Sequence, residues 1–209
     1  ARRFLVALGL GTAAFAMQDV ILEPYGAEVL GLTVSETTTL TAIMALGSIL
    51  AFATAARTLA RGNDPARLAA YGILIGIAAF TTVIMAAPLQ SANIFRLGTF
   101  GIGLGGGLFA VSTLTMAMSF DHRMGIGLAL GAWGAVQATA AGSAMGLGGI
   151  MRDVIATLAA AGKLGPAFNS PAVSYAVVYH FEILLLFIAL AAIGPLVGQA
   201  RDEETETSS

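Results

Sequence analysis

The sequence predicts an all-α, polytopic membrane protein with six transmembrane helices. Hydrophobic residues make up 57% of the chain and charged residues 11%, whereas about a quarter of the residues of a soluble domain are charged. The mean hydropathy is +0.85, and the 26 glycines are typical of membrane helices, in which small residues allow close packing. We therefore expect residues 1–200 to form one helical bundle in a lipid bilayer, followed by a disordered acidic tail at 201–209.

The first three predicted helices are separated by clear turn signals. Each apolar run comes close to the roughly 20 residues that cross about 30 Å of hydrocarbon. The first covers residues 4–22 and is expected to stop at Pro24. The second covers 36–60 and ends in Arg61-Gly62-Asn63-Asp64-Pro65, and the third covers 68–87 before Pro88. Proline and glycine at these positions predict helix ends.

The last three predicted helices are longer or less sharply bounded. The fourth covers residues 94–120, and the fifth begins after Asp121-His122-Arg123 and continues beyond Gly149. The sixth covers 175–198. His122 falls in a short polar loop, where we expect a solvated residue.

Basic residues collect at alternate ends of the predicted helices. Seven of the ten fall on one side: Arg2, Arg3, Arg57, Arg61, Arg67, Arg123 and Arg201. The other side holds Arg96, Arg152 and Lys163. Because cytoplasmic loops carry an excess of Lys and Arg, this pattern predicts a multi-pass inner-membrane protein with both termini in the cytoplasm.

Two carboxylates stand near the end of the first predicted helix. Residues 4–17 supply only about 21 Å of helix at 1.5 Å per residue, so a membrane-crossing helix must include Asp19. Asp19 and Glu23 are four residues apart on one helix face, where like charges repel by a few tenths of a kcal/mol. A carboxylate within the apolar span costs about 2.5 kcal/mol unless it is paired, protonated or hydrated. The residues thus predict either a ligand-contacting or proton-coupling site or a polar helix end at the interface.

Three further polar residues are expected at a similar depth. They are Arg96 at the start of the fourth helix and His180 and Glu182 near the start of the sixth. A neutral His180 is able to ligate the magnesium of a porphyrin-type pigment, since imidazole is a common metal ligand. The alternative is a histidine that only packs or lies at the surface.

Glycines at four-residue spacing predict close helix contacts. Residues 101–106 match the dinucleotide pattern G-x-G-x-x-G, but that motif needs a preceding strand, and this run lies within an apolar helix. The small-xxx-small pairs are Gly101/Gly105, Gly103/Gly107, Gly127/Gly131 and Gly142/Gly146. Trp133 and Gln137 share one face of the fifth helix and either line a cavity or pack.

The residue types exclude several classes of function. Without cysteine, thiolate metal sites and disulfides are excluded. The chain carries no nucleophile–base arrangement, no cluster of metal ligands and no basic patch that would suit nucleic acid. We therefore expect a protein that is not an enzyme.

The helix layout resembles one half of a major facilitator superfamily transporter. The loop at residues 57–67 occupies the position of that superfamily's G-x-x-x-D-R-x-G-R-R signature, but departs from it considerably. A narrower resemblance rests on Met-Gln-Asp-Val-Ile-Leu-Glu-Pro-Tyr-Gly at 17–26, Glu-Val-Leu-Gly-Leu at 28–32 and Ser-Glu-Thr-Thr at 35–38. These motifs are similar to the C-terminal half of PucC-type proteins, the light-harvesting assembly and bacteriochlorophyll-delivery branch of the superfamily.

This resemblance implies an assembly factor of a photosynthetic membrane that handles bacteriochlorophyll. Its implied partners are antenna polypeptides or a reaction-centre complex, together with an N-terminal six-helix half. The matching motif marks six positions: Gln18, Asp19, Glu23, Pro24, Tyr25 and Gly26. Two alternatives are a proton-coupled small-molecule transporter that uses Asp19 or Glu23, and a structural subunit bound to a photosynthetic complex.

Overall fold

A computed structural model describes residues 2–119, 125–165 and 170–197, and within these ranges every regular element is a helix. The helices are α1 (Arg2–Met17), α2 (Leu22–Leu30), α3 (Val34–Leu59), α4 (Pro65–Ala86), α5 (Ala92–Ser119), α6 (Ile126–Ala160) and α7 (Pro171–Ile193). Short 3-10 turns cover Gln18–Val20 and Gly194–Leu196. The predicted all-α class is therefore confirmed. The predicted tail at 201–209 and His122 lie outside the described residues.

Four helices are long and apolar enough to cross a membrane: Val34–Leu59, Pro65–Ala86, Ala92–Ser119 and Pro171–Leu196. A fifth span results if Arg2–Val20 and Leu22–Leu30, which meet at a bend of 46°, count as one. Helix α6 has 35 residues, or about 52 Å at 1.5 Å per residue, but is not among these apolar spans. The chain thus has the character of a polytopic membrane protein, while the number six stays a prediction.

Three helices begin two to four residues before the predicted starts at residues 36, 68 and 175, and local capping chemistry explains where each one begins. Pro65 and Pro171 each occupy the first turn of a helix, after Asp64 and Ser170 as N-caps. This is the position where proline loses no hydrogen bond. Thr33 begins α3 by a reciprocal capping box with Glu36, which satisfies two backbone donors of the first turn.

The predicted stop at Pro24 is wrong. The first helix breaks earlier, over residues 18–21, and the chain re-enters a helix at Leu22 that runs through Pro24. Proline is tolerated there because the first-turn N–H groups have no intrahelical partner. The helix ends instead at Gly31, whose φ of 66° is a left-handed conformation that glycine adopts without steric cost.

Helix α5 lies at the centre of one side of the bundle and packs on α4 and α3. Helix α1 packs on α6 and α7, and α4 joins the two groups through α7. Most of the large buried side chains form one continuous core between these helices. The core is aromatic at its centre, where Tyr25 is surrounded by Phe95, Tyr175 and Tyr179.

Three connections meet at one end of the bundle. Residues from the end of α2, from the α4–α5 loop and from the start of α7 line a shared cavity of about 360 Å³. These connections are the ones that the charge pattern assigns to a common side. Which side of a membrane they face stays a prediction.

Candidate functional site

The bend between α1 and α2 lies at about the depth of Glu182. At 1.5 Å per residue, α1 extends about 24 Å from Arg2 to the bend, and Glu182 lies about 17 Å along α7 from Pro171. The backbone of Gln18 at the bend lies beside the Glu182 carboxyl. Glu182 is therefore near the middle of its apolar span, whereas the sequence predicts a position near the start. Because α1 and α7 pack on each other, the bend brings its polar residues to this buried carboxyl.

Glu182 is completely buried, with 0% of its surface exposed. No side-chain donor among the described residues bonds either carboxyl oxygen, and the donor that comes closest is the backbone N–H of Gln18. The backbone of Gln18 and the carboxylate of Asp19 are close enough to act on its charge. A charged group at the centre of a membrane costs at least about 2.5 kcal/mol, so an ion pair would be expected, and none involves Glu182 in the described part of the chain.

Gln18 links Glu182 to Asp19. Gln18 is buried, whereas Asp19 is exposed on the surface of this chain. The Gln18 Nε2 donates to the carbonyl oxygen of Phe15 at 3.4 Å and to the Asp19 carboxylate, and it lies 3.6 Å from the Met44 sulfur. Its Oε1 is buried without a partner in the described residues.

Tyrosines cover this cluster on its side toward α2. Tyr25 is 1% exposed, and its hydroxyl donates to the carbonyl of Val83 at 3.2 Å. Its ring meets Tyr175 and Tyr179 edge to face, with centroids 5.4 Å and 5.7 Å away, a favoured aromatic geometry. The Tyr179 hydroxyl is buried beside Glu182 and is without a partner in the described part of the chain.

A second polar cluster, which the sequence did not predict, joins α2, α6 and α7. The Arg152 guanidinium donates to both oxygens of Glu28 at 2.6 Å and 2.7 Å, and to the Tyr175 hydroxyl at 2.7 Å. Tyr175 in turn donates to Glu28 at 2.8 Å. The signal that could have revealed it is Arg152, one of only three basic residues on the side of the bundle that is predicted to be poor in them.

Two predicted site residues have local partners instead of the central cluster. Glu23 is exposed and accepts a hydrogen bond from Thr41 at 3.0 Å. Arg96 pairs with Glu36 at 3.3 Å and also contacts Asn93. Arg96 lies near the start of α5, next to the first turn of α3, where Glu36 is its partner. It is therefore not the counter-ion of Asp19. The predicted Asp19–Glu23 face is also interrupted by the bend.

His180 points away from the cluster. It is exposed at mid-depth on α7, and its Nδ1 lies 2.6 Å from the carbonyl oxygen of Ala176. The exposed apolar side chains of Val177, Leu184 and Phe187 follow at helical spacing on the same face. With Nδ1 held by a carbonyl, Nε2 is the nitrogen that can ligate a metal. No group of three or more candidate metal ligands occurs in the described residues.

The predicted glycine contacts are made in α5. A Cβ on Gly101 would lie 2.8 Å from the Ala79 Cβ, and one on Gly105 would lie 2.7 Å from the Gly72 carbonyl oxygen. Gly26 is also enclosed, because a Cβ there would lie 3.1 Å from Leu32 and 3.2 Å from Phe95. The pairs Gly127/Gly131 and Gly142/Gly146 make no such contact, since no atom lies within 4 Å of their Cβ positions. The prediction of close contacts is wrong for those two pairs within this chain.

Comparison with known proteins matches the chain to relatives over nearly its whole length. The family model described as "PUCC protein" matches residues 1–201. The chain is 53% identical over 197 residues to an uncharacterized protein of the puhA–bchM intergenic region of Rhodobacter capsulatus, and 44% identical over 196 residues to protein PucC of Cereibacter sphaeroides. It is 30% identical over 195 residues to the bacteriochlorophyll synthase 44.5 kDa chain of Rhodobacter capsulatus.

These relatives are much longer than the chain. The three alignments cover 94%, 94% and 90% of this chain but only 41%, 42% and 43% of the respective relatives. No solved structure matches it. Because the family model extends over almost every residue that forms the helices, the chain belongs to the PUCC protein family.

Proposed function

We propose that the chain is part of an integral-membrane assembly factor for bacterial light-harvesting complexes. The observation that carries this proposal is the family match over residues 1–201, together with the resemblance of that family to antenna assembly proteins. The apolar helices suit the setting, since assembly with small antenna polypeptides takes place inside the bilayer. The membrane is then the photosynthetic inner membrane, and no catalytic role is assigned to the chain.

The bundle is, in this proposal, the six-span C-terminal half of a twelve-helix protein of the major facilitator type, with both ends in the cytoplasm. Two findings support it. The chain spans about two fifths of the length of its relatives, and α6 is long enough to be the one span that the five apolar spans leave missing. The N-terminal half is then a natural partner of the exposed apolar faces. Truncation of a tagged full-length protein, with reporter fusions after each loop, tests the number of spans and their orientation.

Bacteriochlorophyll binding is the finer part of the proposal. His180 supports it because it offers an Nε2 on an apolar helix face, and a magnesium tetrapyrrole presents a metal at the centre of a flat apolar ring. When bound, the pigment would supply light absorption. The chain would hold it through the His180 Nε2, with the imidazole oriented by the carbonyl of Ala176, and through apolar contacts from Val177 and Leu184.

The first test is purification of the tagged full-length protein from its photosynthetic host in a mild detergent. We expect bacteriochlorophyll absorption and antenna polypeptides in less than stoichiometric amount. A colourless preparation without antenna polypeptides would contradict the proposal, and a fixed stoichiometry with reaction centre would indicate a structural subunit. His180→Ala tests the pigment site, with Ile188→Ala, an exposed apolar residue about two turns further along α7, as control. If His180→Ala keeps its full pigment content, His180 is not the ligand.

A proton-coupled transporter is the second candidate function, and the buried Glu182 beside the bend favours it. Discontinuous helices near mid-membrane commonly form substrate and ion sites in transporters. Under this alternative, Asp19→Asn abolishes uptake of a small molecule into vesicles, whereas an assembly factor retains antenna formation. Comparison of antenna content and uptake in the same Asp19→Asn strain separates the two functions.

A further inference from the structure

We propose that Glu182 is a proton-binding site in the interior of the bundle and exchanges its proton through Asp19 at the α1–α2 bend. This goes beyond antenna assembly, because it assigns a chemical role to a buried carboxyl whatever the protein carries. It rests on the environment of Glu182, on the polar atoms around it and on the position of Asp19.

The first step concerns the form of Glu182 that its surroundings stabilise. The side chain is fully buried, no side-chain donor bonds either oxygen in the described part of the chain, and a single backbone N–H, that of Gln18, lies close to it. A buried carboxylate normally has several donors or a cation, since these replace the water that it has lost. The neutral acid needs neither, so the pocket suits a protonated Glu182.

The second step concerns the charged and titratable groups on the helices that pack around α7. None of the basic groups among them that the structure describes reaches Glu182. Arg2 and Arg3 of α1 and Arg67 of α4 are exposed near the starts of their helices, and Arg152 of α6 is bound to Glu28 and Tyr175. The groups that face Glu182 are Asp19 and the Gln18 backbone N–H at the bend and Tyr179 of α7 itself, and Tyr25 and Tyr175 pack around Tyr179. A second acid with tyrosines, and no cation, again favours the protonated form.

The third step is that a buried acceptor without a partner belongs to the residue beside the carboxyl. The backbone of Gln18 lies beside Glu182, and the Gln18 Oε1 is buried without a partner among the described residues. A protonated Glu182 has an O–H to donate to such an acceptor, whereas a carboxylate is an acceptor only. The Tyr179 hydroxyl, also buried without a partner in the described residues, can bond either form, since it both donates and accepts.

The fourth step is the route of exchange. Asp19 is exposed on the surface of the chain, while Gln18, the next residue, is buried with its backbone beside Glu182. The Gln18 side chain donates to the Asp19 carboxylate, so polar groups of a single residue separate the two acids at the break in the helix. In the transfer, the O–H bond of Glu182 breaks and one forms on Asp19, and the negative charge moves from Asp19 to Glu182.

Infrared spectroscopy of the full-length protein in lipid bilayers tests the proposal. A protonated carboxylic acid has a C=O stretching band apart from that of carboxylates, and this band shifts when D₂O replaces H₂O. We expect the band in the wild type and in Glu182→Asp, and its loss in Glu182→Gln. We expect Asp19→Asn to keep the band but to slow the D₂O shift on the order of 100-fold, as for the loss of a positioned proton-transfer group.

Glu23→Gln is the matched control, because it removes an exposed carboxyl of the same region that is bound only to Thr41. It should leave both the band and its D₂O shift unchanged. The proposal is overturned if the wild type has no such band, if Glu182→Gln retains it, or if Asp19→Asn exchanges as fast as the wild type. Loss of the wild-type band on addition of Na⁺ would assign the pocket to a metal cation instead. Pigment content plays no part in these readouts, so their failure leaves the assembly function untouched.

Discussion

Helices α5 and α6 have similar glycine-rich sequences but use their glycines in different ways. In α5, Cβ positions built on Gly98, Gly101, Gly103, Gly105 and Gly107 all lie within 3 Å of another atom of the bundle. In α6, the positions of Gly127, Gly131, Gly134, Gly142 and Gly146 have no atom of another described element within 4 Å, whereas that of Gly148 lies 2.5 Å from Met17. Glycine spacing therefore identifies a surface suited to close packing without showing what packs on it.

The two helices are consequently held by different interactions. Helix α5 lies between α3 and α4, where the missing side chains allow backbone-to-backbone contact. Helix α6 is attached on one side to α1 and α7. Its polar contacts come from two residues: Arg152 contacts Glu28 and Tyr175, and Trp133 contacts Thr113. The comparison predicts that α5 is sensitive to added volume and α6 to the loss of polar groups.

The largest effect is expected for Gly103→Ala in α5. Its new Cβ would overlap the carbonyl oxygen of Met44 and lie 2.8 Å from the Met44 carbonyl carbon. Because these are backbone atoms, α3 and α5 must separate, with a loss of about 3 kcal/mol at the upper end of overpacking costs. Thermal unfolding of the purified protein measures it, and a midpoint equal to the wild type would contradict the backbone contact.

A smaller loss is expected for Arg152→Ala, which removes the polar tie of α6 to α2 and α7. Hydrogen bonds to charged groups contribute about 1.5–3 kcal/mol each, and the partial exposure of this cluster puts the expected loss near the lower value. Arg96→Ala is the control, since its ion pair with Glu36 is longer, at 3.3 Å, and joins side chains that are 34% and 44% exposed. Such pairs contribute about 0–1 kcal/mol. Equal losses in the two variants would show that Arg152 has no special role in holding α6.

Trp133→Phe should cost less again. The change removes the hydrogen bond from the indole N–H to the Thr113 hydroxyl at 3.3 Å and retains most of the aromatic packing. A neutral hydrogen bond contributes about 0.5–1.5 kcal/mol. Thr113→Val removes the same bond from the other side, so similar losses in both variants and no further loss in the double variant would confirm it.

Much of the fold could be predicted because helix boundaries depend on local sequence. Pro65 and Pro171 and the capping box at Thr33 fix three helix starts by chemistry within a few residues. The exception is the bend before Leu22. There, local sequence predicts a helix end at Pro24, but the helix breaks at residues 18–21. The polar residues of this break are in contact with Glu182, which is distant in sequence.

The sequence predicted some of the polar residues that lie together at the bend, but not which residues pair, and Glu23, Arg96 and His180 lie elsewhere. Gln18, Asp19, Tyr25 and Glu182 stand out as polar or aromatic residues in apolar helices, and the structure does bring them together. The pairings were not predictable, because Arg96–Glu36 and Arg152–Glu28 join helices that are far apart in sequence. His180 differs from Glu182 by only two residues, yet lies on the opposite face of α7.

The smallest effect is expected for Gly131→Ala on the open face of α6. Nothing lies within 4 Å of the new Cβ, and alanine favours helix over glycine, so a gain of about 0.5 kcal/mol is expected in this chain alone. The informative variant is Gly131→Leu, measured both in this chain and in the full-length protein. If another helix packs on the open face in the longer protein, the leucine destabilises only the longer form. The glycines of α5 then pack on helices of this chain, and those of α6 pack on a helix outside it. If both forms tolerate leucine equally, the glycines of α6 face lipid, and the contrast with α5 is a property of the helix itself.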